Sequence, residues 1–241
     1  MRQDYFYSGR TALKRFYSKL YIAFLFCFSA ISGLGAQEIV PAERFFDSVS
    51  AQYGSVVDYR ADLVITKGET VLEGVIYYKS PNLLRIDFSD PEEQVIVVNN
   101  ENLMIYLPTQ SVVMTQKLKK KSDTTLAVMA SEKGLNLLSQ GYSIGYLSSP
   151  TPEPLDETTD EQVVKLRLEW RTVDEGFRQI IMSVNGDNMI RRMEGITRDY
   201  DTVVFDFRNI RTNQNIPGSR FEYESPPNAY KMHNFLFDSE G

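Results

Sequence analysis

Between residues 74 and 108 the chain alternates in polarity. Leu84-Arg85-Ile86-Asp87-Phe88 sets apolar and charged side chains strictly in turn, the pattern of a strand with one dry and one wet face. Just upstream, Leu72, Gly74, Ile76 and Tyr78 share one face, and Glu73 and Lys79 share the other; Val75 and Tyr77 blur the contrast. Turn residues at Ser80-Pro81-Asn82, Ser89-Asp90-Pro91 and Asn99-Asn100 separate the runs. The pattern predicts an antiparallel meander. By alternation Leu72, Ile76, Tyr78, Leu84, Ile86 and Phe88 lie on its apolar side, while Lys79, Arg85 and Asp87 face water. The run 103–107 is apolar on both faces and has no assignable inside.

The same periods continue to either side. Pro41 opens a helix over 41–53 in which Phe45 or Phe46, Val49 and Tyr53 recur at helical spacing, with Gly54 as the stop. Val57, Tyr59, Ala61, Leu63 and Ile65 then alternate with Asp58, Arg60 and Asp62 as a strand, and 111–116 adds another. The segment 122–140 has helical character. Ser122 or Asp123 can cap it, Leu126, Met129 and Ala130 share a face, and Gly134 breaks it before Leu135, Leu137 and Leu138. Two short amphipathic helices of this kind suit a flap over an apolar sheet; core helices read the same way.

Strand patterns return after 162. Val164, Leu166, Leu168 and Trp170 alternate with charged residues, 177–184 runs into the hairpin signal Asn185-Gly186, and 189–196 runs back. Val203, Phe205 and Phe207 follow, and Phe221 and Tyr223 mark a last strand. About ten strands and two helical regions without βαβ alternation predict a mainly β (α+β) fold, an antiparallel curved sheet or incomplete barrel. The stretch 148–162, rich in proline and acid, reads as an exposed loop centred on 150–160.

Composition narrows the function. Arg2, Arg10, Lys14, Arg15 and Lys19 precede the apolar run 20–28, which ends in small residues up to Ala36. This is the form of a signal peptide over 1–36, so the mature domain is expected to be 37–241, exported and soluble. Removing those five basic residues and Asp4 from the 26 basic and 32 acidic residues leaves 21 against 31, a net charge of −10. Such an acidic surface excludes nucleic acid as a partner. The single cysteine, Cys27, leaves with the signal segment, and Phe26 before it rules out a lipobox. The basic run 117–121 is either a solvated strand end that discourages edge pairing or a docking patch for acidic groups.

Chemistry is sparse. Gly141-Tyr142-Ser143-Ile144-Gly145 matches G-x-S-x-G, and His233 follows in the order of a serine hydrolase. Its flanks lack the strand–turn–helix setting the motif requires, so a hydrolase is a remote alternative and no enzymatic activity is expected. No phosphate-binding or metal-ligand motif appears, and no cofactor is expected. Binding is better supported, because two helical segments are too few to cover the apolar face of about ten strands, and part of that face should line a cavity.

The sequence GVIYYKSPNLLRIDFSDP followed by VIVVNNENLMIYLP resembles the periplasmic carriers of outer-membrane lipoproteins, the LolA type. Gly74, Lys79, Pro81, Arg85, Pro91, Leu103, Tyr106 and Pro108 stand at that family's characteristic positions. The resemblance implies an unclosed antiparallel β half-barrel, here of about ten to eleven strands, with a helical lid over an apolar cavity. It implies a periplasmic carrier that shields lipoprotein acyl chains and delivers them from inner to outer membrane. The implied partners are an inner-membrane lipoprotein-releasing transporter and an outer-membrane receptor. The lipid-binding cavity would then take Leu72, Ile76, Tyr78, Leu84, Ile86 and Phe88 from the sheet, with Leu126 and Met129 from the lid. The sequence departs from the family at Ser80, where the family places a lid-holding arginine, at Asn99-Asn100 and in the acidic insertion. A related lipid-sensing regulator of envelope stress is the alternative; it carries a second domain for which this chain leaves little room.

Overall fold

The computed structural model of the chain describes residues 40–99, 102–117, 131–172 and 176–233. The expected signal peptide, Leu126, Met129, Ala130 and residues 118–121 of the basic run lie outside them. The first helix, α1, is Ala42–Ser55, with Pro41 just before it and Phe46, Val49 and Tyr53 along its buried stripe. It runs through Gly54 to Ser55, past the expected stop.

Six strands follow in a meander: β1 (Asp58–Lys67), β2 (Thr70–Lys79), β3 (Leu83–Asp90), β4 (Val95–Asn99), β5 (Asn102–Leu107) and β6 (Val112–Lys117). Helix α2 is Glu132–Gly141. Gly134 does not break it. Its N–H donates to Ser131 Oγ at 3.1 Å, so it sits in the first turn of a capped helix, where a glycine costs little. After α2 come β7 (Tyr142–Tyr146), β8 (Glu153–Asp156), β9 (Thr159–Trp170), β10 (Phe177–Val184), β11 (Ile190–Thr197), β12 (Thr202–Thr212) and β13 (Tyr230–His233).

These form one thirteen-stranded sheet in the order β13-β6-β5-β4-β3-β2-β1-β12-β11-β10-β9-β7, with β8 beside β9. Pairing is antiparallel except between β13 and β6. The two ends do not meet, so the half-barrel is unclosed. Thirteen strands exceed the expected ten or eleven because β7, β8 and β13 have only five, four and four residues, too few alternations to register as a period.

Three expectations about the outer face need correction. The acidic stretch is a hairpin, not only a loop. Leu155 in β8 is 4% exposed, Glu153 pairs with Lys165 at 3.2 Å, and Asp156 pairs with Arg192 at 3.1 Å. Acids that looked solvated answer basic residues from other strands. Phe221 and Tyr223 form no strand: Phe221 ends a short 3₁₀ turn, Gly218–Phe221. Lys79, Arg85 and Asp87 do point outward, but protein rather than open water meets them. Lys79 Nζ donates to Ile216 O at 2.6 Å, and Arg85 Nη1 donates to Arg220 O and Glu222 O at 3.1 and 3.0 Å. Asp87 accepts from Arg85 Nε at 2.6 Å and from Arg220 Nη2.

The segment after β12 therefore crosses the convex face as a strap. Buried Asp58 anchors its start, accepting the N–H groups of Gln214 and Ile216 at 2.7 and 3.0 Å. The strap also explains why 103–107 is apolar on both sides. Leu103 and Ile105 belong to the main core on the concave face, whereas Met104 and Tyr106 pack outside with Val113, Tyr223 and Ala229.

Candidate functional site

Strand register gathers the apolar residues into rows. Tyr59 lies opposite Tyr78, Tyr78 opposite Leu84, Leu84 opposite Val98, and Val98 opposite Leu103. The next row runs Ala61, Ile76, Ile86, Ile96, Ile105. Directly opposed residues share a sheet face, so both rows cross five strands on one surface. Gly74, opposite Phe88, permits this. A Cβ on it would stand 2.4 Å from Asp87 O, so only glycine lets β2 approach β3 this closely.

The sequence placed Ile76, Tyr78, Leu84, Ile86 and Phe88 on one apolar side, and the structure brings all five together on the concave face. Ile76 is 0%, Ile86 1% and Phe88 6% exposed, and Leu72 is half-buried at the edge of the same cluster. Helices cover them: Phe46, Val49 and Tyr53 come from α1, Leu135 and Leu138 from α2. Pattern reasoning did not assign the other half of the face. A third row continues through Ile65, Phe205, Met193, Met182 and Leu166. The alternation of 164–170 and 203–207 carried that signal, but only the pairing of β12 with β1 joins the two halves.

Buried polar groups on this face include three tyrosines and Gln116, which lies opposite Leu103. Tyr59 stacks on Tyr78 at 5.3 Å between centroids and meets Tyr53 edge-on at 6.1 Å. Tyr53 Oη accepts the N–H of Ile190 at 3.2 Å. Burial pushes all three hydroxyl pKa values up; for Tyr78 the nearby Glu132 charge adds to this, while a hydrogen bond from Ser80 works against it. They stay neutral across ordinary pH, so these hydroxyls bring no charge to the face. Ser80 sits exposed at the rim beside Tyr78, its N–H donating to Val57 O at 2.9 Å.

The residues of the hydrolase motif lie apart. Ser143 is in β7, where its Oγ donates to Glu169 O at 3.2 Å. His233 is in β13, its Nδ1 2.6 Å from Thr115 Oγ1. These strands are the opposite ends of the sheet. Among the described residues no group of three or more His, Cys, Asp or Glu side chains could hold a metal ion.

One curled antiparallel sheet, apolar on its hollow side beneath two helices and ion-paired on its outer side, defines an unclosed β half-barrel. The chain belongs to the LolA family: the model of the family "Outer membrane lipoprotein carrier protein LolA" matches residues 60–224, more than half of its length. A relative from Haemophilus ducreyi, named outer-membrane lipoprotein carrier protein, is 24% identical over 200 residues, covering 82% of this chain and 86% of that one. A protein of the same name from Bordetella avium is 23% identical over 208 residues, covering 82% and 93%. Among solved structures, an uncharacterized conserved protein from Thermus thermophilus matches with a TM-score of 0.52 at 12% identity, over 80% of this chain and 98% of that one. The structure of MucB matches with a TM-score of 0.50 at 10% identity, over 76% and 63%. These two likenesses show the fold alone.

Proposed function

We propose that this protein is a periplasmic carrier that holds the acyl chains of lipoproteins against its concave face and delivers them from the inner to the outer membrane. The observation that carries this reading is the run of apolar rows across β1 to β5, covered by helices that set apolar side chains against it. Acyl methylenes can replace such contacts like for like. A sixteen-carbon chain moved out of water gains roughly 12 kcal/mol, at about 0.8 kcal/mol per methylene. Uncovering Leu135 and Leu138 of α2 costs about 3–6 kcal/mol, at about 1.5–3 kcal/mol per leucine. Lipid wins that exchange, while the helix keeps the bound state only moderately favoured, as delivery requires.

In this reading Leu72, Ile76, Tyr78, Leu84, Ile86 and Phe88 receive the chains, Leu126 and Met129 complete the cover, and Ser80 meets it at the rim. Loading energy comes from an inner-membrane transporter and unloading from an outer-membrane receptor, without a cofactor in the carrier itself. Export follows cleavage after Ala36, and N-terminal sequencing of the envelope protein then begins at Gln37.

The test is displacement of a fluorescent fatty acid from the purified protein. Phe88→Glu sets a charge where methylenes belong and abolishes binding, whereas Val71→Glu, at an exposed rim position, leaves it intact. Equal binding by both folded variants refutes the assignment of this face, and a wild type that binds no probe refutes the carrier reading.

A further inference from the structure

Strands β11 and β12 part company midway. Their pairing reaches Arg192 opposite Asp206, yet β12 continues to Thr212 with β1 as its only partner among the described residues. At the point of parting β12 carries a bulge: Asp62 faces Arg208 and Arg60 faces Arg211, so Asn209 and Ile210 share one place in the ladder. Asn209 takes a left-handed φ of 52°, and its side-chain amide donates to Asp62 Oδ2 at 2.7 Å. A bulge bends its strand as a rule, and the bulged residues Asn209 and Ile210 line a cleft at this point.

The cleft is about 740 Å³, within the range of roughly 300–1,000 Å³ typical of ligand sites. Its floor is apolar. Met189 and Phe207 belong to the concave core, and Ile210 packs against it. Its rim is polar and reaches both sides of the sheet. Gln52 enters from α1 over the concave face, whereas Arg191 is tied to Glu161 and Asp206 in the outer ion-pair network. Arg208, exposed on β12, joins Asn185, Asp187, Asn209 and Thr212 in the rest of the rim.

We propose that this gap is a side portal through which the peptide of an acylated ligand leaves the concave face. The inference rests on the carrier reading above and adds a subsite to it. The floor suits the last methylenes and the linkage atoms. The rim offers amide and guanidinium groups that hydrogen-bond peptide backbone irrespective of sequence, as a carrier of many different chains needs. The open side of β12 is where an extended peptide can lie.

The probes are an N-palmitoyl pentapeptide of polar residues with a photoreactive fourth residue, and palmitic acid. With wild-type protein the lipopeptide binds about tenfold tighter than palmitic acid, the yield of two or three hydrogen bonds. Irradiation attaches it to Gln52 or to residues 208–212. Arg208→Trp, which fills the portal from an exposed position, removes the tenfold difference and leaves palmitic acid binding unchanged. Equal affinity of the two probes in wild type, or cross-links confined to the α2–β7 side, overturns the portal. Loss of binding for both probes overturns the carrier reading instead.

Discussion

Replacing Leu135 by alanine separates two ways in which a ligand could use the concave face. Leu135 is fully buried, and it is one of the two α2 side chains set into the apolar cluster. Truncating a buried leucine costs about 2–5 kcal/mol, part transfer and part cavity. The lower end applies if α2 settles toward the sheet, so about 2 kcal/mol is a working figure. For a chain of this size that lowers the melting temperature by about 4–8 °C. If acyl chains take the place of α2, the loss falls only on the closed, unliganded state. The competitor of the lipid is weakened, and the apparent affinity rises by up to about 30-fold for 2 kcal/mol. If lipid binds elsewhere, the mutation only destabilises the protein and the affinity stays level or falls. Titration with a fluorescent fatty acid, paired with a thermal melt, reads both quantities. A lower melting temperature with unchanged or weaker binding refutes displacement of α2.

The remaining predictions concern what holds the half-barrel together. Asp58→Ala leaves the N–H groups of Gln214 and Ile216 without their acceptor, costing about 2–4 kcal/mol in denaturant unfolding and exposing the strap to protease. Gly74→Ala forces a methyl group into the backbone of β3, and a loss of about 2–4 kcal/mol is expected in the same assay. Hydrogen bonds from the Thr158 hydroxyl and N–H, with Arg192 beside them, hold the Asp156 carboxyl at about 2 against an ordinary 3.8. A depressed carboxylate stabilises the fold above its unfolded pKa, so its contribution is present above about pH 4 and is lost as pH falls toward 2. An NMR titration of Asp156 therefore has its midpoint near 2, and Thr158→Ala raises it toward 3.8; a wild-type midpoint near 4 contradicts the hydrogen-bonded geometry.

The amino-acid pattern was sufficient where a local period decided the outcome. Strict alternation in Leu84-Arg85-Ile86-Asp87-Phe88 determined which side chains share a face, because a strand has only two, and Asn185-Gly186 marked the turn between β10 and β11. Helical spacing placed Phe45 or Phe46 with Val49 and Tyr53 on one stripe of α1, and the folded chain buries Phe46. Three matters needed the folded chain, because each depends on residues far apart in sequence. The pairing of β1 with β12 joins the early and late strands into one face, and no period encodes which strands become neighbours. The second burial of 103–107 comes from a strap more than 100 residues downstream. Lys79, Arg85 and Asp87, polar and alternating outward, looked like a wetted surface. They instead bind the backbone and side chain of that strap, because a charged residue in sequence shows its need for a partner but not whether water or protein supplies it.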